Sequence, residues 1–248
     1  MKRTRLLMGM PITIQVIDPR VTESDIASIF DYFVSIDRMF STYKKESEIS
    51  RLNARELTKK QLSHDVRQIL QLADDTRKES NGYFNIEHNG KIDPSGIVKG
   101  WAIYNASGLL KEHGFQNFYV DAGGDIQVFG KNEKGTGWVV GIRNPFKKEE
   151  IVKVVRLENK GIATSGLYIR GQHIYNPHKP KDSISDISSM TVIGPTVYDA
   201  DRFATAAFAM GEKGIAFIEK LPGYHGYMID PRGIATMTSR FERFVVKN

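Results

Sequence analysis

Cysteine is absent from the 248 residues. Its absence excludes disulfides, zinc-thiolate sites, thiol catalysis and lipidation on cysteine. No apolar run is long enough to span a bilayer, so no membrane insertion is expected. The start, Met1 to Pro11, is basic, but its apolar run is short and broken by Gly9 and Pro11. That pattern does not fit a signal peptide, and a cytoplasmic location is the expectation. The chain also lacks a flexible linker, a low-complexity run and a clear repeat. There is no basic helix, no interleaved arginine–aromatic motif and no helix-turn-helix pattern. The net charge of +6, with a pI of about 9.3, therefore reads as a solvated lysine-rich surface, and no nucleic-acid partner is expected.

What is present is an apolar fraction of 40%, enough for an ordinary core in one large domain or two small lobes. Ile12, Ile14 and Val16 alternate with polar residues and predict a strand. Thr22 with Asp25 forms a capping box opening a helix, in which Ile26, Ile29, Phe30, Phe33 and Ile36 recur at helical spacing. Glu46 to Asn53 is polar and reads as irregular. A second helix is predicted over 65–79, ended by Asn81-Gly82. A third starts at Asp93-Pro94-Ser95-Gly96 and stops before Gly114.

From Phe115 the pattern turns β-rich. Phe118 and Val120 predict one strand and Ile126 and Val128 the next, with Gly123-Gly124 as the turn. Further strands are predicted around Trp138–Ile142, Val152–Val155, Gly161–Ser165, His173–Tyr175 and Met190–Ile193. Thr196 opens a helix ending at Met210, and a short helix holds Ile215 to Leu221. Strands near 227–229, 235–238 and 241–246 close the chain. Helices interrupting antiparallel-looking strands give an α+β class. The expectation is a single compact domain over 1–248, of mostly antiparallel or mixed sheet with flanking helices, open to division into two lobes.

Several polar and glycine-rich clusters fall where strands or turns meet helices. Asp201 and Thr205 stand four residues apart on one helix face. They could share a divalent cation, since carboxylate and hydroxyl oxygens are hard ligands suited to Mg²⁺. Asp201 could equally be an acid near a helix N-terminus that offsets its dipole. Asp93 or Ser95 could cap the helix they precede. Free N–H groups there favour anions, and Gly96 leaves a carbonyl open to a metal; an ordinary capped turn fits as well. Gly123 and Gly124 read as a hairpin turn or as a place where a nucleotide approaches backbone. Thr164, Ser165 and His173 could bracket a substrate, with His173 as a general base or phosphate holder; it could also be structural. Tyr43 could stack on a flat ring or pack in the core. Together the clusters suggest a metal-assisted site for a phosphate-containing ligand.

Read in order, these stretches resemble the ApbE-like family, the FAD:protein FMN transferases. The matching segments are Met8-Gly9-Met10, Phe40 to Tyr43, Glu48 to Asn53, Gly82 to Ile86, Asp93 to Gly100, Asp121 to Asp125, Trp138 to Pro145, Ile162 to Gly166, His173 to Pro177 and Asp199 to Thr205. Nearly the whole chain is covered. The segment between Asn85 and Asp93 is shorter than in many relatives.

The resemblance implies Mg²⁺-dependent cleavage of FAD, with FMN passing to a threonine or serine hydroxyl of an acceptor flavoprotein and AMP leaving. It implies that Asp201, Thr205 and the Gly96 carbonyl hold the metal. Met8, Tyr43, Phe84, Asn85, Ile86 and Asp93 would line the FAD site, with Gly123, Gly124, Thr164 and Ser165 beside them. His173 would be the base. The competing expectations are an FAD pyrophosphatase releasing FMN and AMP, and an FAD-binding protein without turnover.

Overall fold

The computed structural model describes residues 1–147, 149–166 and 174–247. Its centre is an eight-stranded sheet in which every neighbouring pair is antiparallel. The strands are β1 (Lys2–Leu7), β2 (Met10–Val16), β5 (Phe118–Ala122), β6 (Asp125–Phe129), β9 (Lys160–Gly166), β10 (Ser189–Gly194), β11 (His225–Ile229) and β12 (Ala235–Met237), in that spatial order. Two small ribbons stand apart from it. One pairs β3 (Glu87–His88) with β4 (Lys91–Ile92), the other β7 (Trp138–Arg143) with β8 (Ile151–Leu157). The α+β class follows directly.

Helices cover one side of the sheet. The first, α1 (Glu23–Phe40), has the Thr22–Asp25 capping box and buries Ile26, Ile29, Phe30, Phe33 and Ile36. Together with α3 (His64–Glu79) and α4 (Ser95–Glu112), it packs on Ile12, Ile14, Phe118 and Val120. Farther along the sheet, α5 (Val197–Ala209) and α6 (Gly214–Lys220) pack on Ala163, Met190 and Val192. The other side is closed by the β7–β8 ribbon and Phe241, which bury Ile126, Val128, Ile162 and Ile193.

The alanine-rich α5 lies very close to the sheet. A Cβ on Gly161 would stand 1.9 Å from the backbone nitrogen of Val197. Backbone cannot yield as a flexible side chain can. We expect Gly161→Ala to lose about 3 kcal/mol or more of stability, read as a shift in denaturant midpoint. Arg202 ties the helix to α3, donating to Thr76 at 3.2 Å and pairing with Glu79, and it is held in place by Asp199 on its own helix at 2.9 Å.

Four predicted features are corrected. Residues 48–53 are not irregular: they form the short helix α2 (Glu48–Asn53), capped by Ser47 and anchored by buried Ile49. A turn and a half of mostly polar helix carries too few apolar residues to show a period. Phe241–Phe244 is a 3₁₀ turn, not a strand, and only Val245 makes a bridge, to Val155. At the start of α4 neither Asp93 nor Ser95 is the N-cap. Pro94 holds that place, while Asp93 accepts the Ser95 N–H at 3.0 Å. Ile174 and Tyr175 lie outside any strand, and His173 lies outside the described residues. The strand Lys2–Leu7 is not among the strands that the sequence pattern predicts. Its alternation is masked by four polar residues on an edge exposed to solvent.

The C-terminal 3₁₀ turn is joined to β11 by His225, whose imidazole nitrogen meets the Arg243 guanidinium at 2.7 Å. Burial, then the positive charge of Arg243, holds His225 down at about 4 from an ordinary 6.5. Between those values the unfolded chain binds a proton that the folded chain refuses. Stability should therefore fall as pH drops through that window. Denaturant titrations across it should show a shallower fall in His225→Gln.

Candidate functional site

A cavity of about 970 Å³ opens where α4, α5 and the ends of β5, β6 and β9 meet. Sequence-distant segments build its wall for identifiable reasons. Two-residue turns with positive φ at both central positions join β1 to β2 (Met8 52°, Gly9 73°) and β5 to β6 (Gly123 63°, Gly124 100°). Such turns match the strand twist, and they bring Gly9, Met10, Gly123 and Gly124 to the cavity. The Asn53 side chain bonds both the N–H and the carbonyl of Ile92, each at 2.8 Å. That clamp fixes the β3–β4 ribbon beside the opening.

Oxygen atoms gather at the junction of α4 and α5. Thr205 Oγ1 donates to the Gly96 carbonyl at 3.4 Å and lies 3.3 Å from Ser165 Oγ. Asp201, one turn earlier on α5, is only 3% exposed and accepts the Gly100 N–H at 2.8 Å. Helix α4 can come this close because residue 100 is glycine: a Cβ would stand 2.6 Å from that of Asp201. Burial pushes the Asp201 carboxyl well above the usual carboxylate range; Lys99 opposes the rise and Asp125 adds to it. Lys99 and Asp125 pair at 2.7 Å, and Asp125 also accepts the Thr164 N–H at 3.1 Å. The site therefore holds a buried acid that gains from any cation brought to it.

The donors can be compared with what a cation of each kind requires. Among the described residues no cluster of three or more His, Cys, Asp or Glu could hold a metal. One carboxylate with a hydroxyl and a carbonyl suits Mg²⁺, which takes few protein ligands and completes its shell with water and phosphate oxygens. The residues present fit that ion.

A second acid lies farther along the wall. Asp121 accepts the Gly124 N–H at 2.8 Å and the Tyr119 hydroxyl at 3.1 Å. Burial raises its pKa, and these two bonds and Arg143 work against that rise.

Most of the predicted site residues meet here. Phe84, Asn85, Ile86, Asp93, Gly96, Gly123, Gly124, Thr164, Ser165, Asp201 and Thr205 all line the one cavity. Two do not. Met8 is half-buried and packs against the main core, while the positive-φ turn gives the cavity to Gly9 and Met10. Tyr43 is 95% exposed and contributes nothing to the lining, whereas its neighbour Thr42 does. The Lys99–Asp125 pair was missed. Both residues stand in motifs noted in the sequence, but nothing in the chain order pairs α4 with β6.

The model of the ApbE family matches residues 8–89 and 86–228. The FAD:protein FMN transferase of Escherichia coli K12 is 29% identical over 167 residues, covering 62% of this chain and 48% of that protein. The protein of the same name from Treponema pallidum is 30% identical over 159 residues, 57% of this chain and 44% of the other. The chain thus spans about half the length of the curated relatives it matches. Among solved structures, the flavin transferase ApbE from Vibrio cholerae superposes with a TM-score of 0.85 at 22% identity, covering 98% of both chains. The ApbE protein of Thermotoga maritima gives 0.87 at 19% identity, covering 100% of this chain and 99% of that one.

Proposed function

This chain belongs to the ApbE family, and from that premise we propose that it moves FMN from FAD to a hydroxyl of an acceptor flavoprotein, releasing AMP. The observation that carries the proposal is the junction of Asp201, Thr205 and the Gly96 carbonyl in the wall of a cavity of about 970 Å³. That volume is at the upper end for small-molecule sites and suits a dinucleotide. The names of the relatives, FAD:protein FMN transferases, point to the same substrate.

The reaction exchanges a phosphoanhydride bond for a phosphoester. The acceptor oxygen attacks the FMN phosphorus of FAD, the pyrophosphate P–O bond breaks, and AMP departs with the bridging oxygen. The hydroxyl proton must go to a base. Mg²⁺ held by Asp201, Thr205 and the Gly96 carbonyl would offset pyrophosphate charge and so favour attack by an oxygen. Lys99 lines the same wall and adds positive charge beside the phosphates. Gly123 and Gly124 let the chain approach the ligand without side chains in the way. Phe84 and Ile86 supply apolar surface. Little covalent chemistry is left for the protein beyond positioning and accepting a proton. By the resemblance of residues 173–177 to the family, His173 would be that base.

The test incubates the chain with FAD, Mg²⁺ and a candidate acceptor, read by mass spectrometry. Covalent FMN on a threonine or serine supports the proposal. Free FMN and AMP without an adduct would make the chain a pyrophosphatase, and unchanged FAD a binding protein. A second expectation concerns affinity. FAD should bind more tightly than FMN or riboflavin, because the cavity grips pyrophosphate and adenylate as well as the ring. Equal affinity for riboflavin and FAD by calorimetry would contradict that grip.

A further inference from the structure

The β7–β8 ribbon has two unlike faces. Trp138, Val140 and Ile142 of β7, with Val155 and Leu157 of β8, point into the core. The register Val139↔Arg156, Gly141↔Val154 and Arg143↔Ile151 puts these six residues on the opposite face, because directly opposed residues of an antiparallel pair share a face. There Val139 is 51% exposed, Ile151 46% and Val154 37%. Gly141 keeps the centre flat: a Cβ there would stand 2.9 Å from the Ile151 side chain. Arg143 and Arg156 occupy diagonally opposite corners, roughly 13 Å apart along the strands at about 3.4 Å per residue. Among the described residues neither forms a salt bridge. Val139, Gly141, Arg143 and Ile151 also line the cavity. The face is therefore continuous from the cavity mouth to the outer corner at Arg156.

We propose that this face is the docking surface for the acceptor polypeptide, and that it takes an extended, acidic segment beside the hydroxyl to be modified. The inference rests on the FMN-transfer reading above. An apolar strip bounded by two arginines matches an extended segment that offers apolar side chains to the centre and carboxylates to the corners. A guanidinium can grip a carboxylate with two parallel bonds. Continuity with the cavity brings a hydroxyl on such a segment to the mouth where FAD would end. A second copy of this chain fits less well. A two-fold contact apposes the same patch on both subunits, which sets arginine against arginine between chains already carrying +6 each.

The test uses the full chain loaded with FAD and short threonine peptides that differ only in having aspartate or lysine around the threonine. Peptide binding is read by fluorescence anisotropy, FMN transfer by mass and FAD affinity by calorimetry. The variants are Arg156→Glu and Val154→Asp, neither of which lines the cavity, with Arg156→Lys as the conservative control. The intact chain should prefer the aspartate peptide. Each of the two variants should weaken that binding roughly fivefold or more, the upper range for an exposed ion pair. FAD affinity and melting temperature should stay unchanged, and Arg156→Lys should retain most of the preference. Equal affinity for both peptides, or undiminished binding in both variants, would overturn the docking surface. So would a dimer in sedimentation that Val154→Asp dissociates. If the preference is present but no FMN is transferred, the transfer reading fails and the surface stands. If FMN reaches both peptides equally in every variant, the surface fails and the transfer reading stands.

Discussion

Replacing Asp201 with alanine should abolish Mg²⁺-dependent FAD cleavage. We expect a loss of roughly 10³-fold or more, since a metal acting on a phosphoryl group supplies several kcal/mol and each decade of rate is about 1.4 kcal/mol. Asp201 is the only charged ligand in the proposed set. The fold should survive. Alanine leaves the Gly100 N–H without its 2.8 Å partner, a cost of about 1–3 kcal/mol, but it also removes a carboxylate that is unfavourably buried. Asp201→Asn separates the two roles, because its amide oxygen can still accept the Gly100 N–H while the charge is gone. Both variants should melt cooperatively and release no AMP over a Mg²⁺ titration. Full activity with an unchanged Mg²⁺ dependence in either would remove Asp201 from the site.

His173→Ala should slow FMN transfer by ~10²–10⁴-fold, the usual loss on removing a general base, while FAD affinity changes little. Only neutral imidazole accepts a proton, so the transfer rate of the intact chain should rise with pH through an ionisation. That rise should be absent from the variant. A purely structural histidine predicts the reverse pattern, with a lower melting temperature and near-normal transfer by the folded fraction. Measuring rate and melting on the same sample distinguishes the two. A stable variant with near-normal transfer would leave activation of the hydroxyl to the metal and the acceptor's own environment.

The helices α1 and α3 were legible because their apolar residues repeat at helical spacing, and α1 and α5 also because their caps, Thr22 with Asp25 and Thr196 with Asp199, are conventional; α4 is apolar nearly all round and was marked instead by Pro94 before it and Gly114 after it. The β5–β6 hairpin was legible from Gly123-Gly124. What eluded the sequence was short or exposed. α2 is a polar turn and a half, and β1 is an edge strand with arginine, threonine and lysine along it. Tyr43 illustrates a different limit. Its position in a motif next to Thr42 gave no information on which of the two side chains turns inward. Asp201 and Thr205 could be paired from their spacing on one helix. Their meeting with Gly96, Ser165 and Asp125 depends on packing between elements, which no local pattern encodes.

The same packing sets an order of events in folding. Gly100 and Asp201 are 101 positions apart in the chain, and Gly96 and Thr205 are 109 apart. Such contacts form only after long loops have closed, and chains rich in them fold slowly. Local helices such as α1 and α3 form on a far shorter timescale. On dilution from denaturant, helical circular dichroism should therefore return well before the capacity to bind FAD. The α4–α5 junction is a late marker of native structure, and a nascent chain released before α5 has been made has no means of assembling it.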